Sequence, residues 1–121
     1  MLLDNFYSIV KRESAEASAS AAIAINASHK ILQGHFPGQP VVPGVCMMQI
    51  VRELTELFVS KKLKITEGDN LKFLSIIDPR QHNEIDVTVS WKENAGIYMV
   101  NATLFAGAVT FFKFKGTLQA V

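Results

Sequence analysis

The chain predicts an α+β fold in which an antiparallel sheet curves about one long central helix. Three observations lead there. Val45–Lys61 holds no Pro or Gly, and its first half is apolar on every side except at Gln49. A strand pattern, Ile23-Ala24-Ile25, precedes it. After Gly68 the chain alternates apolar and polar residues between turn signals, the mark of a meander. A helix that is apolar all round needs a sheet on most of its sides. One chain of 121 residues can barely supply that, so a dimer is expected to complete the enclosure. Residues 1–121 read as a single domain, without internal repeats or linkers.

The elements follow in order. Leu2, Leu3, Phe6, Ile9 and Val10 recur at roughly helical spacing and suggest a short N-terminal helix or arm. The Ala/Ser-rich stretch from Ser14 to Ala22 has weak character of its own and leads into Ile23-Ala24-Ile25, read as a strand edge. Pro43 and Gly44 open the long helix. Its second half sets Leu54, Leu57 and Phe58 against Arg52, Glu53, Glu56 and Lys61. Lys61-Lys62-Leu63-Lys64 reads as a solvated helix end. Leu71–Ile77 is the next strand, and Ile85, Val87, Val89 and Trp91 alternate through another. Glu93-Asn94-Ala95-Gly96 is a hairpin turn, Ile97–Leu104 a strand, Ala106-Gly107-Ala108 a tight turn and Val109–Leu118 the last strand.

Composition narrows the function. Hydrophobic residues make up 49%, and no apolar run reaches the roughly 18 residues a membrane span needs. Met1-Leu2-Leu3-Asp4 reaches a charge too early for a signal peptide, so a cytoplasmic protein is expected. The single Cys46 cannot form an intrachain disulfide, in keeping with a reducing compartment. A net charge of +1 leaves no electrostatic footprint for nucleic acid.

The densest chemical signal runs from Gly34 to Val45: one His, three Pro and three Gly in twelve residues. His35 sits just before a rigid turn and a buried helix start. An unperturbed imidazole, with a pKa near 6.5, suits a general base. The plainer reading is a His that packs in a turn. Gly44 stands where the orphan N–H groups of a helix start point outward, and can hold an oxygen that is gaining charge. Cys46 lies in the first helical turn and has no sequence partner, so it reads as packed. His29 and His82 lack metal-ligand spacing and read as loop residues; no metal is expected.

His35-Phe36-Pro37-Gly38-x-Pro40-x-x-Pro43-Gly44-Val45, before a buried helix, resembles the bacterial β-hydroxyacyl-acyl carrier protein dehydratases of the FabZ and FabA type. Lys72-Phe73-Leu74-Ser75, with Pro79 after it, is similar to a second strand motif of that family. The resemblance implies the hot-dog fold and a dimer with its sites between subunits. It implies a His from one subunit facing an acidic residue on the central helix of the other. The family turns a 3-hydroxyacyl thioester into the trans-2-enoyl thioester without cofactor or metal. Gly44 matches the position whose N–H holds the thioester oxygen. The family's acid lies fourteen residues after the His, and this chain has Gln49 there.

An amide cannot donate a proton at any useful pH. General acid catalysis is worth about 10²–10⁴-fold, so its loss matters. Two substitutes present themselves: His35, once protonated, and Glu53, one turn on from Gln49. Glu53 also reads as a solvated or ion-paired residue, and Gln49 as a buried amide satisfied by backbone. Phe36, Val45, Met48 and Phe73 are candidate substrate-binding residues, with Met47 and Leu74 beside them; apolar residues at such spacing equally serve as core.

Three functions follow. The first is dehydration of 3-hydroxyacyl chains on acyl carrier protein, in fatty acid or related lipid or polyene synthesis, with His35 as base. The second is a non-catalytic subunit that binds acyl carrier protein and pairs with an active paralogue. The third is a hot-dog acyl thioesterase. The expected partners are acyl carrier protein, met by Lys72, Arg80, Lys61 or Lys62, and a second copy or a paralogue.

Overall fold

The computed structural model describes residues 1–33 and 41–121, Gln33 by its backbone alone; the expectations for His35 and Phe36 lie outside them. Six strands are joined in one antiparallel sheet: β1 (Tyr7–Ser14), β2 (Ser18–Ile25), β3 (Leu63–Phe73), β4 (Glu84–Asn94), β5 (Ile97–Ala106) and β6 (Val109–Ala120). Their spatial order is β1-β2-β4-β5-β6-β3. A short helix α1 (Lys30–Gln33) follows β2, and the long helix α2 (Gly44–Val59) packs on the inner face of the sheet.

The alternation seen in sequence sets that inner face. Ile85, Val87 and Val89 of β4, Tyr98, Val100, Ala102 and Leu104 of β5, and Phe112, Phe114 and Leu118 of β6 are all buried. They form one core with Cys46, Met47, Ile50, Val51 and Leu54 of α2. The β4–β5 turn is the two-residue kind expected, with Ala95 and Gly96 at φ 53° and 81°. The β5–β6 turn uses Gly107 at φ 56°.

Four expectations need correction. Residues 2–10 are not helical: a turn at Leu2–Asn5 leads into β1, whose Tyr7 and Ile9 pair with Ile25 and Ile23. Backbone pairing with β2 overrides the weak spacing. Ile23-Ala24-Ile25 is no edge, because β2 lies between β1 and β4. The lysine run is not a helix end. Ser60 closes α2 in the left-handed conformation (φ 58°), and β3 starts at Leu63. Glu56 fastens that junction, accepting from Leu63 N–H at 2.8 Å and pairing with Arg52 at 3.1 Å. The strand expected at Leu71–Ile77 is instead the end of β3, which runs from Leu63 to Phe73 and leaves Leu74–Ile77 beyond it. In keeping with the small amount of sheet one chain can supply, α2 is not covered all round by its own chain: Val45 is 70% exposed, with Met48 and Gln49 half-buried. The single sheet lies on one side of the helix only.

Gly116 marks where the edge strand β3 passes closest over β6. A Cβ there would meet the backbone oxygen of Glu67 and come within 2.7 Å of Phe114 Cζ. The bulges of β3 flank this point, between Ile65 and Glu67 and between Gly68 and Asn70. Gly116→Ala is expected to cost about 1–3 kcal/mol, as overpacking does. Urea unfolding measures it; an unmoved midpoint would show that the bulge yields freely.

Candidate functional site

Two features on different flanks of α2 gather the candidate groups. The first is the helix start. Pro43 (φ −63°, ψ 147°) is its N-cap, and the Pro43 carbonyl accepts from Cys46 N–H at 3.0 Å and Met47 N–H at 3.3 Å. No described residue accepts from the N–H of Gly44 or Val45. They stand in the first turn of the helix, where no carbonyl of the helix itself can accept from them. Beside them opens an apolar groove of about 450 Å³, lined by Val42, Gly44, Met47, Phe73, Leu74 and Ile76 among others.

Phe73 forms one wall. Its ring stacks on Phe112 with centroids 4.7 Å apart and planes 22° from parallel. A Cβ on Gly44 would lie 2.8 Å from Phe73 Cε1, so only glycine lets the ring rest over the helix start. Gly44→Ala is expected to push the ring off Phe112, costing about 0.5–1.5 kcal/mol of stacking and narrowing the groove. Unfolding in urea reads the cost; unchanged stability would mean that the ring moves without loss.

The second feature is centred on Glu53, which is 1% exposed. Its carboxylate accepts from Leu2 N–H (2.8 Å), Leu3 N–H (2.9 Å), Tyr7 Oη (3.0 Å) and Gln49 Nε2 (2.7 Å). Burial alone pushes the Glu53 pKa up. The donations from Leu2, Gln49, Leu3 and Tyr7 together outweigh it, and the net shift is downward. Glu53 is therefore an ionised group saturated with donors. The Tyr7 hydroxyl is pushed far upward, first by burial and then by the Glu53 charge beside it. It stays a donor.

The expected site residues thus fall into two groups. Gly44 and Phe73 share the groove, with Met47 and Leu74. Val45, Met48 and Gln49 lie on the uncovered flank of the helix. Gln49 and Glu53 meet each other, while Tyr7 and the amides of Leu2 and Leu3 are partners that sequence reasoning missed. Cys46 is buried, and burial pushes its thiol pKa up, away from a reactive thiolate. His29 sits edge-on to Phe6 and accepts from Ile31 N–H at 3.1 Å, and His82 sits edge-on to Phe111. Among the described residues, no three His, Cys, Asp or Glu side chains gather as metal ligands, and no helix is long and apolar enough to cross a membrane. Arg80 is paired with Asp78 at 2.9 Å.

The family model of the ApeI dehydratases matches residues 11–108. The chain belongs to the ApeI-like dehydratase family. Curated relatives agree. The 3-hydroxyacyl-[acyl-carrier-protein] dehydratase FabZ of Caulobacter vibrioides is 28% identical over 96 residues, 78% of this chain and 56% of the relative. FabZ of Rickettsia massiliae is 30% identical over 79 residues, 59% of this chain and 54% of its own. The chain thus spans just over half the length of these relatives. The dehydratase heterocomplex ApeI:P from Xenorhabdus doucetiae has the same fold, at TM-score 0.75 and 21% identity, covering 92% of this ApeI-like chain and 96% of the other. A putative thioesterase from Shewanella oneidensis superposes at TM-score 0.59 and 10% identity, over 95% of this chain and 82% of its own. The hot-dog architecture, a sheet packed on one central helix, is the fold observed.

Proposed function

We propose that this chain dehydrates a 3-hydroxyacyl thioester, carried on acyl carrier protein, to the trans-2-enoyl thioester. The observation that carries the reading is the apolar groove lined by Gly44 at the helix start, where no described residue accepts from the backbone N–H groups of Gly44 and Val45, in a chain of a dehydratase family. The groove suits an acyl chain. The open amides suit a thioester oxygen that becomes enolate-like when the proton beside it leaves.

His35 is the base by its place in the motif, nine residues before Gly44. It takes the α-proton, and the electron pair moves toward the oxygen held at Gly44. As the enolate collapses, the bond from Cβ to the hydroxyl oxygen breaks. Protonated His35 returns the proton to that oxygen, and water leaves. Neither Gln49, an amide, nor Glu53, an ionised carboxylate with four donors, has a proton to give. His35 therefore serves as base and acid on one face of the substrate. A second subunit, another copy or a paralogue, covers the flank of Val45, Met48 and Gln49 and brings its own Gln49 toward the partner's groove.

A second reading is favoured by the lack of a proton to give at both Gln49 and Glu53: a subunit that binds the acyl chain and leaves chemistry to an active paralogue. The ApeI:P heterocomplex supports such pairing within this fold. The test is purified protein incubated with 3-hydroxyacyl carrier protein, with the product followed by mass. Enoyl product that falls about 10²–10⁴-fold in His35→Ala is expected. Turnover indifferent to His35→Ala overturns the mechanism, and free acid as product points to a thioesterase.

A further inference from the structure

Gln49 and Glu53 stand one helical turn apart with Nε2 and Oε2 at 2.7 Å. The Glu53 oxygens also take the N–H groups of Leu2 and Leu3, which can only donate, and the Tyr7 hydroxyl. With donors converging on two buried oxygens, the group at the centre is an acceptor throughout. The Gln49 amide can then be seated one way only, nitrogen toward Glu53 and oxygen away from it. No described residue donates to Gln49 Oε1. Gln49 is half-buried and follows Val45, which is 70% exposed, by one turn on the same flank of α2.

We propose that Tyr7, Glu53 and the amides of Leu2 and Leu3 form a positioning device that fixes Gln49 as a hydrogen-bond acceptor. Its Oε1 takes the hydroxyl hydrogen of a 3-hydroxyacyl substrate laid against that flank. The identity of this substrate rests on the function proposed above; the orientation of the amide does not. Holding the hydroxyl by its hydrogen leaves the lone pairs of the oxygen free to receive a proton from elsewhere. The amide thus positions the leaving group and takes no part in proton transfer.

Two measurements on the full chain test this. In ¹H–¹⁵N NMR, the Gln49 side-chain amide, assigned by its loss in Gln49→Met, is expected to show one proton shifted downfield and slow to exchange. Glu53→Gln should abolish that signature and Tyr7→Phe weaken it. An ordinary, fast-exchanging amide in the unsubstituted protein overturns the proposal. The second measurement is the ratio of affinities for 3-hydroxybutyryl-pantetheine and butyryl-pantetheine, in a His35→Ala background that keeps the ligand intact. A preference of about tenfold for the hydroxyl is expected, the worth of one hydrogen bond. It should fall toward unity in Gln49→Met and partway in Tyr7→Phe. A ratio unmoved by both substitutions overturns the proposal, even where the enzyme turns over. A ratio that moves as expected in a protein without turnover upholds it and removes the dehydratase reading instead.

Discussion

Glu53→Leu is expected to lower the unfolding free energy by about 2–4 kcal/mol, through donors left without an acceptor. The substitution fills the space but strands the Tyr7 hydroxyl and the amides of Leu2 and Leu3, and it frees Gln49. Each orphaned buried donor costs about 1–3 kcal/mol, less where water reaches it, as it does near Leu2 and Leu3. Urea unfolding at neutral pH measures the loss. A Glu53→Leu protein as stable as its parent would mean that the carboxylate only offsets its own desolvation. The same group sets a pH dependence. Its folded pKa is depressed, so its stabilisation is complete above the ordinary carboxylate range, near pH 4.3, and fades as pH falls through the folded value. Acid should therefore destabilise the parent more steeply than Glu53→Gln, and the two curves should converge at low pH.

The Glu53 cluster also shows where a sequence stops being legible. The meander from β4 to β6 could be read directly, because each strand buries one face and its side chains alternate cleanly, as in Ile85, Val87 and Val89. The helix was legible from an uninterrupted apolar run after Pro43-Gly44, to within two residues at each end. β1 and β3 were not, and both are edge strands. An edge strand packs few side chains: in β3 only Leu63 is buried, and its bulges break the alternation. The groove residues Gly44 and Phe73 were nominated separately and lie in contact, because the strand that carries Phe73 ends over the helix start. Tyr7 and the Leu2 and Leu3 amides were invisible, being 46 to 51 residues from Glu53 in the chain. The available clue was a charged residue on a helix otherwise marked for burial, which must find donors somewhere.

Gln49→Glu is expected to raise the dehydration rate, by about 10²-fold if proton delivery to the leaving oxygen limits turnover. The new carboxyl would stand where Gln49 Nε2 now lies, 2.7 Å from Glu53. Two carboxylates that close cannot both ionise near neutral pH, so the pair holds one proton. The amides of Leu2 and Leu3 and the Tyr7 hydroxyl favour the charge on Glu53, which leaves the proton at position 49. At rest that proton bridges to Glu53, and it reaches the leaving oxygen only when the O–H turns out toward the flank that presents an acceptor in the parent. Activity should fall as pH rises through the upper apparent pKa of the pair, a limb the parent lacks. The stability cost should be small, since the shared proton keeps a hydrogen bond between the two residues. A rate that rises and gains this alkaline limb would show that the rest of the machinery, His35 and the Gly44 amide included, is competent. Enoyl product absent from both the parent and Gln49→Glu would place the deficit elsewhere. The chain would then be the binding subunit of a pair whose other member does the chemistry.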